Sequence, residues 1–178
     1  MPFIVTATSI DGAFLIDAQP VDDERGFFAR MWDGRELAEA GLDPSLVQCN
    51  LSGNRLSRTL RGMHYQVEPH AEVKIVRCTR GSLLDVIVDL RPGSTTYRRW
   101  FAAELNDVNR RMLYIPKGLA HGYLTLQDNV EAYYHVSARY SPADARGVRW
   151  NDPAIGIKWP FEPAVISDRD REWPLLER

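Results

Sequence analysis

The stretch RCTRGSLLDVIVDLRPGS, Arg77 to Ser94, constrains the fold more than any other part of the chain. Successive strand side chains point to opposite faces. Leu84, Val86, Val88 and Leu90 therefore share one face, and Asp85 and Asp89 share the other. Gly81-Ser82 separates this run from KIVRC, Lys74 to Cys78, which predicts a hairpin. GAFLIDAQPV precedes it, ending near Pro20, and RRWFAAEL, RRMLYIP, AHGYLTL and VEAYYHVSARY follow between turn signals. Many short strands at such spacing predict an antiparallel sandwich or barrel. The N-terminal FIVTATSI reads as an edge strand that pairs with a partner's sheet or folds back on its own chain.

Helix is scarce. GRELAEAGL predicts one short helix with Asp33 as N-cap and a stop near Gly41, and SPADAR one helical turn. The tail WPFEPAVISDRDREWPLLER is rich in proline and charge and reads as irregular. Its Trp159, Phe161 and Trp173 predict that it packs on the body. With no repeat or composition break, the expectation is one domain over residues 1–178, its tail (151–178) lying on the barrel.

Composition limits the function classes. The 178 residues are 44% hydrophobic and 26% charged with a net charge of -2, so no broad basic surface for nucleic acid is expected. No run approaches a membrane span. The start, MPFIVTATSIDG, lacks the basic region of a signal peptide. Cys49 and Cys78 make no CxxC pair, which fits a reducing compartment. A cytoplasmic protein is expected.

The chemistry concentrates in LRGMHYQ, Leu60 to Gln66. Arg61 and His64 should look away from each other on a regular strand. Gly62 between them is a bulge signal, and a bulge would turn both to one side. His64 suits general-base work near neutral pH. A carboxylate would fix its tautomer, and Asp85, Asp89 and Asp170 are the candidates. Tyr133 and Tyr134 are candidate acids, of which one faces a cavity and the other packs. Lys74 and Arg61 are candidate partners for a carbonyl or phosphate.

YIPKGLAHGY places His121 in the pattern P-x-G-x-x-H, which resembles the second motif of the cupin superfamily. The first cupin motif would fall on HYQVEPHAEVK, where Gln66 stands at a histidine position. Glutamine is a poor transition-metal ligand, so His64, His70 and His121 are not expected to hold a metal. The expected fold class is mainly β, a cupin-type double-stranded β-helix or jelly-roll barrel with few short helices.

DERGFF, QCN, LRGMHYQ, DVIVDLR, YIPKGLAHGY, YSP, WNDPAIGIKWP and SDRD occur in this order from residue 23 to residue 170. Together they resemble the dTDP-4-dehydrorhamnose 3,5-epimerase family of metal-free cupins. The resemblance implies a cofactor-independent epimerase of a nucleotide-diphosphate 4-keto-6-deoxy sugar, acting as a homodimer. It implies His64 as proton acceptor, Asp170 as its dyad partner, Tyr134 as proton donor and Lys74 beside the developing oxyanion. It further implies substrate contacts from Arg25, Phe28, Gln48, Asn50, Arg61, His121 and Arg169, with Tyr140 stacking on the base. The chain departs from the family pattern at Arg30 and around Asp144 to Arg146, where acidic residues are common, and at His135 and Arg169, where lysines are common.

Overall fold

A computed structural model describes residues 3–176. Fourteen strands and two short helices follow one another as β1 (Ile4–Ala7), β2 (Phe14–Asp17), β3 (Val21–Asp23), β4 (Gly26–Phe28), α1 (Gly34–Glu39), β5 (Gln48–Asn54), β6 (Thr59–Gln66), β7 (Lys74–Arg80), β8 (Ser82–Asp89), β9 (Trp100–Asn106), β10 (Met112–Ile115), β11 (Leu119–Thr125), β12 (Val130–Val136), β13 (Ala145–Gly147), β14 (Val165–Ile166) and α2 (Asp168–Glu172). One sheet runs β1-β2-β10-β7-β12-β5 and the other β13-β6-β11-β8-β9, with β14 added parallel to β6. Every other pairing among the described residues is antiparallel. This is the mainly β sandwich that the strand pattern predicts and the cupin-like arrangement that the resemblance implies.

The predicted hairpin at Gly81 does not form. β7 belongs to the first sheet and β8 to the second, so Gly81, at φ +78°, turns the chain from one sheet into the other. A turn signal marks where a strand ends, but not which sheet the next one joins. β1 folds back on β2 of its own chain, as one of the two expected pairings had it.

Three apolar layers follow from the two sheets. Between them lie Val76, Cys78, Leu83, Ile87, Leu105, Leu113 and Ala132, all buried. The outer face of the first sheet, with Ile16, Ile75 and Met112, is covered by Leu37 and Leu42 of the α1 region. α1 starts where expected, because the Asp33 carboxylate accepts from the Arg35 and Glu36 N–H groups.

The outer face of the second sheet carries Val86, Val88 and Ala120, packed against Val148, Ile155, Ile157, Trp159 and Leu176. The apolar face of β8 therefore lies under the C-terminal segment, and its other face, with Asp85 and Asp89, looks into the sandwich. Asp152 locks that segment by accepting from the Ala154 and Leu176 N–H groups. Burying each large aliphatic side chain contributes about 1.5–3 kcal/mol, enough to hold a segment with little regular structure. The segment is not wholly irregular, for it contains β14 and α2.

Candidate active site

The site begins with a mismatch between β6 and β11. His121 faces His64 and Tyr123 faces Arg61, so three steps on β6 match two on β11. One extra residue makes a β-bulge. It brings Arg61 and His64 to the same side, as Gly62 predicts, and both line one cavity. Gly62 sits at φ +145°, and a Cβ there would lie 2.6 Å from Gly122 Cα. Only glycine fits both the conformation and the close approach.

The cavity lies between the sheets and has two adjoining lobes, about 340 and 270 Å3, the range of small-molecule sites. His64, Lys74, Tyr134 and Arg169 line both lobes. Gln48, Asn50 and Tyr140 line the first, and Arg61, His121 and Asp170 the second.

His64 Nε2 lies 2.6 Å from Asp170 Oδ1. A carboxylate there fixes Nε2 as the donor and leaves the Nδ1 lone pair of the neutral ring free. The Gly62 N–H donates to the other Asp170 oxygen at 3.2 Å. Burial pushes the Asp170 carboxyl up, but the His64 contact and the Gly62 N–H outweigh it and hold the group below its ordinary value. Of the three candidate carboxylates, Asp170 thus serves His64. Asp85 lies 2.7 Å from His121 Nε2, and Asp89 is taken by Arg91, Ser94 and Thr96.

Asp170 arrives on α2, whose N-cap is Ser167, the hydroxyl of which accepts from the Asp170 N–H. Serine followed three positions later by an acid is a helix-start pattern. SDRDRE is thus a cap and a turn of helix, not an irregular charge cluster. Trp173 closes α2 and packs edge-on against the His64 ring at 6.2 Å.

Tyr134, on β12 of the first sheet, is the tyrosine that faces the cavity. Tyr133 lies on the outer face under Arg77, at 4.9 Å. Burial raises the Tyr134 phenol above its ordinary value, helped by Tyr123 and Glu72 and opposed by Arg61. Arg61 Nε donates to Asn54 Oδ1 at 2.9 Å, which aims the guanidinium.

Arg25 and Phe28 do not join this set. They lie on the β3–β4 ribbon, whose strands pair only with each other, and the Arg25 guanidinium bonds Asp23 of the same ribbon. Phe28 is 62% exposed, while its neighbour Phe27 is pinned under Arg110 at 3.7 Å. The resemblance put them in the site, but neither lines the cavity of its own chain, because the ribbon packs at Arg110 instead. Arg30 also stays outside, bonding Asp33, whereas Arg146 lines the first lobe.

The sequence reading passed over Glu72, whose carboxylate lies 3.1 Å from Lys74 Nζ in the cavity wall. The signal was present: strand spacing puts residues 72 and 74 on one side. Gln66 is buried and fully occupied. Its amide nitrogen shares two hydrogens among His70 O, Glu72 Oε2 and Arg139 O, and its oxygen accepts from the Ser141 N–H. His70 bonds Asp144, and no cluster of three metal-ligating residues occurs among the described residues.

A family model described as dTDP-4-dehydrorhamnose 3,5-epimerase matches residues 7–178. A dTDP-4-dehydrorhamnose 3,5-epimerase of Sinorhizobium fredii is 43% identical over 169 residues, 94% of this chain and 87% of the relative. The crystal structure of a dTDP-4-dehydrorhamnose 3,5-epimerase from Bacillus anthracis, with TDP and PPi bound, superposes with TM-score 0.95 at 38% identity, covering 98% of this chain and 99% of that one. A dTDP-6-deoxy-D-glucose-3,5-epimerase from Legionella pneumophila, in complex with dTDP-4-keto-L-rhamnose, gives TM-score 0.92 at 32% identity, covering 97% and 92%.

Proposed function

The chain belongs to the dTDP-4-dehydrorhamnose 3,5-epimerase family, and from that premise we propose how its cavity carries out the family's reaction. The protein is an isomerase that acts on a dTDP-linked 4-keto-6-deoxyhexose. The C4 ketone of such a sugar acidifies the hydrogens on C3 and C5, because the carbanion left behind is an enolate. His64 Nδ1 takes the proton from one face. The pair of electrons moves into the ring and onto O4, where Lys74 and Arg61 stabilise the negative charge. The Tyr134 phenol returns a proton to the same carbon from the opposite face, and the centre is inverted. Solvent then removes the proton from His64 and restores the one on Tyr134. The ketone is already in the substrate, so the net reaction exchanges protons and nothing is oxidised.

One observation carries this reading. His64 and Tyr134 come from opposite sheets, β6 and β12, and line the same cavity, with Lys74 beside both. Base and acid on one wall would return the proton to the face it left. General acid–base catalysis contributes roughly 10²–10⁴-fold. Each donor aimed at the oxyanion contributes about another 10²–10³-fold.

In the same reading Gln48, Asn50 and Arg169 line the nucleotide end, and Tyr140, with its N–H tied to Gln48 Oε1, offers its ring to the base. We read the protein as a cytoplasmic homodimer held to one domain. Arg25 and Phe28, out of reach of their own cavity on an exposed ribbon, would then be free to serve the partner's. Arg146 puts a cation at the nucleotide end, so a panel of nucleotide-linked ketosugars belongs in the test.

The experiment is solvent exchange followed by NMR. With dTDP-4-keto-6-deoxyglucose in deuterated water, deuterium is expected at C3 and C5 of the product. Label at one carbon alone would make the enzyme a single-centre epimerase. No label from any nucleotide would refute the function.

A further inference from the structure

We propose that Glu72 is a positioning residue for the reaction, the middle member of a relay Gln66–Glu72–Lys74 that aims the Lys74 ammonium at the substrate's oxyanion. The inference rests on the epimerase reading above. The relay starts in the backbone. The Gln66 side-chain oxygen accepts from Ser141 N–H, and its amide nitrogen faces the His70 carbonyl at 2.9 Å and, on a shared hydrogen, the Arg139 carbonyl at 3.2 Å. Those partners fix which end of the amide is which. The same nitrogen donates to Glu72 Oε2 at 3.0 Å, while Glu72 Oε1 meets Lys74 Nζ at 3.1 Å.

Two donors therefore converge on residue 72 from opposite ends. Only a group that accepts at both ends satisfies them, and among the side chains that is a carboxylate. A glutamine would turn its NH2 toward one of the donors. Both members of the ion pair are nearly buried, with side-chain exposures of 10% for Glu72 and 11% for Lys74. A flexible lysine stem is thus held in one place. The anchor is also tied to the loop that presents Tyr140, because Ser141 belongs to it.

A second consequence is electrostatic. The groups around the Tyr134 phenol are Glu72 and Lys74, Arg61 and His64 of β6, Tyr123 of β11, and Arg169. Asp170 also lines the second lobe, where His64 and the Gly62 N–H hold it. Glu72 is the carboxylate whose charge raises the Tyr134 phenol and disfavours the phenolate.

Kinetics of Glu72→Gln and Glu72→Asp in the full chain, with dTDP-4-keto-6-deoxyglucose as substrate, test the proposal. For Glu72→Gln, kcat is expected to fall about 10²-fold, the effect of a misplaced group of this kind, with KM little changed. The alkaline limb of its kcat profile is expected to move to lower pH, since the charge opposing phenolate is gone. Glu72→Asp keeps the charge on a shorter arm, so its kcat falls while the alkaline limb stays in place. A Glu72→Gln enzyme with native kcat and native pH profile overturns the proposal. If that variant does not fold, native kcat in Glu72→Asp overturns it instead. Native protein that exchanges no deuterium refutes the epimerase reading itself, which separates the two failures.

Discussion

Arg61 and His64 stand three positions apart on one strand and line one cavity, because β6 carries a residue more than β11 between the paired positions. The cation and the base of the site are thus placed together by a local irregularity centred on Gly62.

That irregularity predicts the effect of Gly62→Ala. The added Cβ meets Gly122 backbone at 2.6 Å, and φ is +145°. Neither strand can yield without breaking the β6–β11 pairing. The variant is expected to lose about 2–4 kcal/mol of stability and to separate Arg61 from His64. Thermal unfolding checks the first effect, and loss of solvent exchange in the folded fraction checks the second.

The tail makes a second prediction. Gly147 lies directly under the Trp173 ring, and a Cβ there would overlap it. Trp173 closes α2, which carries Asp170. Gly147→Ala is therefore expected to lower kcat by moving the dyad carboxylate, with the β-sandwich still formed. Circular dichroism and steady-state kinetics together distinguish this from general unfolding.

Asp170→Asn tests the dyad and its pH dependence. Loss of the carboxylate removes a buried charged hydrogen bond, a cost of about 1.5–3 kcal/mol near neutral pH. The Asp170 group is held below its ordinary value in the folded protein. Its stabilisation is therefore fully present above the unfolded-state carboxylate range and is lost as pH falls through the folded value. Urea unfolding of the native protein should show this loss on acidification, and the Asp170→Asn protein should show less of it. The variant's kcat should also fall, because His64 loses the partner that fixes its tautomer.

The Tyr134 phenol predicts the alkaline side of the activity profile. Burial, Tyr123 and Glu72 raise it. The acid form then persists to higher pH than in a free tyrosine, so the limb due to loss of the proton donor lies above the ordinary phenol range. A kcat–pH series with native protein checks this, and a limb at the value of free tyrosine contradicts it.

Much of this was legible in the sequence, and the failures have physical causes. Strand runs, the α1 cap at Asp33 and the Gly62 bulge are local signals, and each forms as read. The Gly81 turn was misread as a hairpin because pairing partners are a non-local property. Arg25 and Phe28 were assigned by motif position; on the β3–β4 ribbon they do not line the cavity of their own chain, and a residue that serves a second copy is not legible from one chain's topology. The choice among Asp85, Asp89 and Asp170 was open because all three are far from His64 in sequence. Contact at 2.6 Å decides it, across a separation of 106 residues. Glu72 was passed over, although its place two residues before Lys74 put both on one side of the chain.

The account depends on His64 and Tyr134 working from opposite faces of one sugar, and Tyr134→Phe in deuterated water tests that most directly. Abstraction by His64 still occurs in this variant, and its ring exchanges the proton with solvent. The prediction is deuterium at the reacting carbons with configuration retained, since the label can return only from the His64 side. Inversion at the native rate would contradict the assignment of acid and base.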